Sequence, residues 1–178
     1  MTIQILLLLF SNILIPLVRS DYCGDHKVPF GLELHKNGKM NLLCARPNCH
    51  EKKYAECPER ADSDRCLTNS SWVGGLTQNS DGRLKLQCCE YDLLPKYATV
   101  QFENLTIRPG EYFEGEENTD NDQQVTSFDL IGDIKQLQDP EGKTYYSLLI
   151  YRYHCGNIPD TPPLWYKTKQ WPYFQKDV

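Results

Sequence analysis

Eight cysteines constrain this chain more than any other feature: Cys23, Cys44, Cys49, Cys57, Cys66, Cys88, Cys89 and Cys155. An even number of thiols behind a hydrophobic leader predicts four disulfides formed in an oxidising compartment. Each such bridge contributes about 2–4 kcal/mol, chiefly by restricting the unfolded chain. Eight cysteines allow roughly a hundred pairings. Cys88 and Cys89 are not expected to pair with each other, because adjacent Cα atoms lie about 3.8 Å apart and a bridge usually spans about 4.4–6.8 Å. The alternation in Arg83-Leu84-Lys85-Leu86-Gln87 suggests that the pair continues a strand. Its two side chains then face opposite ways and tie that strand to two different neighbours. Seven of the eight fall between Cys23 and Cys89, so the N-terminal half is densely stapled and Cys155 is expected to tie the C-terminal half back to it. A zinc site at Cys44, Cys49, His50 and Cys57 is the competing reading. It lacks a paired C-x-x-C and requires thiols kept reduced, so no metal and no cofactor are expected.

The leader runs through Ile3 to Phe10 and Ile13 to Val18, and Val18 and Ser20 offer the spacing that a signal peptidase accepts. Crossing a bilayer takes about 20 apolar residues, and this run is shorter and broken by Ser11, Asn12 and Pro16. The reading is a signal peptide over 1–20 and a single domain over 21–178, with no stable membrane insertion after cleavage. Of the 19 Lys and Arg, Arg19 belongs to the leader; the remaining 18 face 24 acids, a net charge of −6. Such a balance argues against nucleic acid as the partner. Asn69-Ser70-Ser71 and Asn104-Leu105-Thr106 are acceptors for N-linked glycans, which fits secretion to the extracellular space or cell surface.

Short alternating segments separated by turn residues predict a mainly β fold, with α+β as the alternative, built from antiparallel hairpins with little helix. Phe30–His35 and Met40–Cys44 flank Lys36-Asn37-Gly38-Lys39, where Asn-Gly supplies the positive φ angles of a tight hairpin. Tyr97–Ile107 alternates through Ala98, Val100 and Phe102. Val125–Leu137 and Lys143–Tyr153 flank Asp139-Pro140-Glu141-Gly142, which suits a type I turn. One or two helical turns are expected within Asn48–Glu59, limited by Pro58. Glu111–Asp122 carries six carboxylates and no base; without the alternating order of a calcium loop it reads as a solvated acidic loop. The Pro- and aromatic-rich tail, 159–178, reads as an irregular cover, with a partner-binding strip as the alternative.

No sequence pattern marks a nucleophile elbow, a metalloprotease helix, a phosphate loop or a dinucleotide fingerprint. His26 and His35 stand near Asp25 and Glu33, but no nucleophile is marked beside them and they read as surface residues. The residues favour a binding protein over an enzyme.

Several blocks together resemble one family. Cys23-Gly24, Val28-Pro29-Phe30-Gly31-Leu32-Glu33 and Leu43-Cys44-Ala45-Arg46-Pro47-Asn48-Cys49 are similar to the Wart domain of the nematode hedgehog-related Warthog proteins. The likeness continues through Cys88-Cys89, Gly110-Glu111-Tyr112-Phe113, Phe128-Asp129-Leu130-Ile131-Gly132-Asp133-Ile134 and Tyr151-Arg152-Tyr153-His154-Cys155, covering most of 21–174. The resemblance implies a secreted, non-catalytic intercellular signal, active in development or cuticle-forming epithelia, whose partner is a cell-surface receptor or an extracellular matrix protein. A structural role in the apical matrix or cuticle is the alternative. Larger relatives carry a C-terminal autoprocessing domain that begins at Gly-Cys-Phe and transfers a sterol; this chain stops at Val178 without that junction, so neither step is expected. Acylation of an N-terminal cysteine is not expected either, since Asp21 and Tyr22 precede Cys23.

Overall fold

Ten strands and one helical turn make up a computed structural model that describes residues 19–24, 27–49 and 55–156. The leader up to residue 18, Asp25, His26, His50, residues 51–54 of the expected helical stretch and the tail 159–178 lie outside the described residues. Residues 55–59 are irregular. The strands are β1 Arg19–Tyr22, β2 Val28–Leu34, β3 Met40–Ala45, β4 Ser71–Gln78 and β5 Leu84–Glu90; after the single turn α1 Leu94–Tyr97 come β6 Ala98–Ile107, β7 Glu111–Glu114, β8 Glu117–Thr119, β9 Val125–Gln138 and β10 Thr144–His154. They form three sheets, ordered β1-β4-β5, β3-β2-β7 and β6-β10-β9-β8, with every pair antiparallel. The fold is mainly β, as the alternation predicts. β1 begins inside the stretch read as leader: Arg19 and Ser20 pair with Gln78 and Thr77.

The hairpin turns follow one local rule. His35 N–H donates to Lys39 O, Gly38 N–H donates to His35 O, and Gly38 alone takes a positive φ, of 79°. The turn is therefore a three-residue loop with glycine at its left-handed position, rather than a two-residue turn with positive φ at both Asn37 and Gly38. Loops 79–83 and 139–143 repeat the pattern with Gly82 and Gly142, and the latter contains the expected type I turn. Loop 120–124 has the same hydrogen bonds, yet the left-handed position holds Gln123, at φ 61°.

Glu111–Asp122 is not the loop its charge suggested. Glu111–Glu114 is β7, paired with β2, and Glu117–Thr119 is β8, paired with β9. Acidic residues here occupy sheet edges, where a charged side chain points into water while the backbone pairs inward.

β9 is buried without a break from Ser127 to Ile134. Opposite it, Leu149 pairs with Asp133 but Ile150 pairs with Ile131, so Gly132 is an extra residue. A bulge resets the side-chain parity, which is why Ile131 and Ile134, three apart, enter the same apolar cluster with Leu32, Leu34, Val73, Leu86, Leu148 and Ile150. A second cluster gathers Val28, Trp72, Tyr91, Leu94, Phe128, Leu130 and Tyr153. Glycine suits the bulge, because a β-carbon on Gly132 would lie 2.3 Å from the Tyr151 ring, which would have to move.

Candidate interaction surface

All eight cysteines are bridged: Cys23–Cys44, Cys49–Cys155, Cys57–Cys89 and Cys66–Cys88. Cys88 and Cys89 diverge to different partners, as strand alternation requires, and Cys155 ties β10 back across the chain to Cys49. Full pairing leaves no thiol to serve as nucleophile or ligand. Among the described residues no three His, Cys, Asp or Glu side chains gather where they could hold an ion.

The Cys57–Cys89 bridge lies over a second bulge. Val73 pairs with Cys88 and Gly75 with Gln87, which leaves Gly74 extra, and a β-carbon there would fall 2.1 Å from Cys89 Sγ. The Cys23–Cys44 bridge closes a seam between two sheets. Beside it the Asp21 carboxylate accepts a hydrogen bond from Leu42 N–H at 2.6 Å, and Cys23 N–H donates to Gly74 O at 3.0 Å.

Two acids of the Phe128–Ile134 block are buried, and each binds a guanidinium. Asp129, with no exposure, accepts from Arg152 Nε at 2.8 Å and Nη2 at 2.9 Å, and Oδ2 also accepts Glu116 N–H at 3.0 Å. Arg152 Nη2 reaches Glu116 Oε2 at 3.1 Å. Asp133 accepts from Arg65 Nε and from Cys66 N–H, the latter at 2.8 Å. A buried carboxylate held by a guanidinium and a backbone N–H, in a two-pronged grip at Asp129, is a structural joint. In the sequence Asp129, Asp133 and Arg152 stand out only as members of the blocks of resemblance; an acid inside an otherwise apolar strand is the available signal.

The two described histidines, His35 and His154, are similarly engaged. His35 Nε2 lies 2.8 Å from Asn41 Nδ2 and 3.3 Å from Glu33 Oε2, which brings the predicted His35 and Glu33 together at the surface. His154 Nε2 lies 3.3 Å from Thr99 Oγ1, and burial, helped by the neighbouring Arg152 charge, holds its pKa below the usual histidine value. Burial likewise raises the phenols of Tyr146 and Tyr151.

What remains open to a partner is surface. Asn69 is exposed in the turn before β4, and Asn104 is exposed on β6, with its Oδ1 3.5 Å from Ser147 Oγ. A groove of about 660 Å³ lies beside the β1-β4-β5 sheet. One wall is the sheet, with Tyr22, Thr77 and Gln87; the other is the segment Cys57–Ala61. Among the described residues, Tyr22, Leu67, Leu93 and Val100 are the large apolar residues left exposed.

Sheets closed by four bridges, with their buried charges paired internally, define the class: a disulfide-stapled antiparallel β domain. The chain belongs to the Warthog family, since the family model described as the Warthog N-terminal signalling domain matches residues 20–156. The match ends short of the 21–174 span suggested by the sequence blocks, leaving the tail outside it. Among curated relatives, Warthog protein 5 of Caenorhabditis elegans is 71% identical over 88% of this chain and 89% of its own length. Warthog protein 3 of the same species is 47% identical over 88% of each chain. Warthog protein 1 is 25% identical over 82% of this chain, but that match covers 38% of its own length. No solved structure matches.

Proposed function

We propose that this chain is a secreted, non-catalytic signalling protein of the hedgehog-related class that acts by binding a cell-surface partner. The observation that carries the reading is the match of a signalling-domain family model to residues 20–156, which spans the whole described domain. Four bridges and two exposed glycan acceptors, Asn69 and Asn104, fit passage through an oxidising secretory route. Pairing of all eight thiols and internal neutralisation of Asp129 and Asp133 fit recognition by surface rather than by reacting groups.

The experiment is capture from native tissue. Tagged, secreted protein is cross-linked to living epithelium, and its partners are identified by mass spectrometry. Recovery of one membrane receptor, competed away by untagged protein, is the expected outcome. Recovery of insoluble matrix polymers alone would replace the signalling reading with a structural one.

A further inference from the structure

The four bridges differ in what protects them. In Cys23–Cys44, Cys49–Cys155 and Cys66–Cys88 one cysteine is buried and its partner is half-buried. In Cys57–Cys89, Cys89 is buried but Cys57 is exposed, the one exposed cysteine of the eight, and it lines the open groove. Thiol–disulfide exchange requires a thiolate to reach one sulfur from the side away from the other, so exposure of that sulfur governs which bridge reacts.

Cys57 belongs to a strap, residues 56–64, that runs along the outer edge of β5. Glu56 and Glu90 exchange backbone hydrogen bonds of 2.8 and 2.7 Å, and Ser63 and Leu86 exchange bonds of 3.1 and 2.7 Å. Pro58 O accepts from the Gln87 side chain, and Asp64 pairs with Lys85 at 2.7 Å. No side chain between Glu56 and Asp64 other than that of Cys57 is anchored in the protein interior: none joins either apolar cluster, and Glu56, Pro58, Glu59, Arg60, Asp62 and Asp64 are exposed. Beyond the strap the chain is fixed again by Arg65 on Asp133 and by Cys66–Cys88. A segment with exposed backbone hydrogen bonds and no apolar burial opens locally at little cost once its covalent tie is cut.

The geometry points to Cys57 as a site of thiol exchange and to Cys57–Cys89 as a redox latch on the strap. The reagent is a monothiol of the glutathione class or the dithiol of an oxidoreductase. Its thiolate attacks Cys57 Sγ and forms a mixed disulfide there; the Cys57–Cys89 bond breaks, and the Cys89 thiolate leaves and takes a proton. A second thiol displaces Cys57 from the mixed disulfide, so the pair gains two electrons and two protons while the two reagent thiols become one disulfide. Release of the strap removes the groove wall formed by Cys57–Ala61 and uncovers the β5 edge for pairing with another strand. The latch thus controls access to a surface, whatever that surface binds.

The test uses the full, oxidised, secreted chain. Graded reduced glutathione is added under native conditions, samples are alkylated with iodoacetamide, and peptides are mapped by mass. Cys57 and Cys89 should be labelled at least about tenfold faster than the other six. The selectively alkylated protein should keep its β circular dichroism while trypsin cuts after Arg60 at least about tenfold faster than in the oxidised form. Labelling of another pair first, or of all eight together, overturns selective access. Selective labelling with unchanged cleavage at Arg60, or with loss of the β spectrum, overturns the latch.

Discussion

Asp129 and Arg152 illustrate how a charge is tolerated where no water reaches. The carboxylate has two guanidinium hydrogen bonds and the Glu116 N–H, so both ions are solvated by protein groups rather than by water. Removing one partner strands the other: Arg152→Ala should cost about 3–5 kcal/mol in urea unfolding. Arg152→Met combined with Asp129→Asn should cost less than Arg152→Ala alone, since Asn still accepts the Glu116 N–H and the fully buried carboxylate is gone, while the Glu116 carboxylate that also loses Arg152 is partly exposed. Equal costs would show that the stranded Asp129 charge is not the source of the loss. His154 gives a pH signature. Its folded pKa lies below the usual value, by burial first and the Arg152 charge second, so the folded state resists protonation more than the unfolded chain does. Its contribution is fully present above the unfolded histidine value of about 6.5 and fades as pH falls toward the depressed folded value. Melting temperature should therefore fall more steeply between pH 7.5 and 5.5 in the native protein than in His154→Gln. Parallel curves would refute this.

At the scale of the element, the four turns form a natural comparison. Three place glycine at the left-handed position, and loop 120–124 uses Gln123 in the same hydrogen-bond frame, with Asp120 Oδ1 accepting from Asp122 N–H and Gln124 N–H. A side chain in that conformation costs about 1–2 kcal/mol, partly offset because glycine also frees the unfolded chain. Gln123→Gly should therefore stabilise the protein by about 0.5–1 kcal/mol, read as a shift in urea midpoint at constant slope. Two of these turns are legible in the sequence, because Asn37-Gly38 and Pro140-Glu141-Gly142 report local backbone cost; those at 79–83 and 120–124 are not read there. The strand status of Glu111–Glu114 and Glu117–Thr119 was not, since charge and a lack of apolar alternation describe an edge strand and a loop equally well. The bulge at Gly132 was also hidden: period-two counting places Ile131 and Ile134 on opposite faces, and only the register against β10 shows otherwise.

Across the whole molecule the bridges do unequal work. Cys49–Cys155 spans 106 residues and Cys23–Cys44 spans 21. Loop-closure entropy grows with the logarithm of that span, so losing the first through Cys49→Ala with Cys155→Ala should cost about 5 kcal/mol and losing the second about 3. Chemical denaturation of the two double variants should reproduce that order; the reverse would place the stabilisation in native contacts rather than in the unfolded chain. What the sequence determined by itself was local or compositional: a mainly β chain, the divergence of Cys88 from Cys89, the positions of two turns, the return tie from Cys155 and the family. Adjacent Cα spacing, strand alternation and glycine dihedrals act over a few residues and can be read there. The tertiary structure alone decided which cysteines meet, that the acidic stretch pairs as two edge strands, that Asp129 and Asp133 are buried joints, and that Cys57 stays exposed above the groove. Each depends on which distant segments come together, and that is set by the packing of three sheets rather than by any residue's neighbours in the chain.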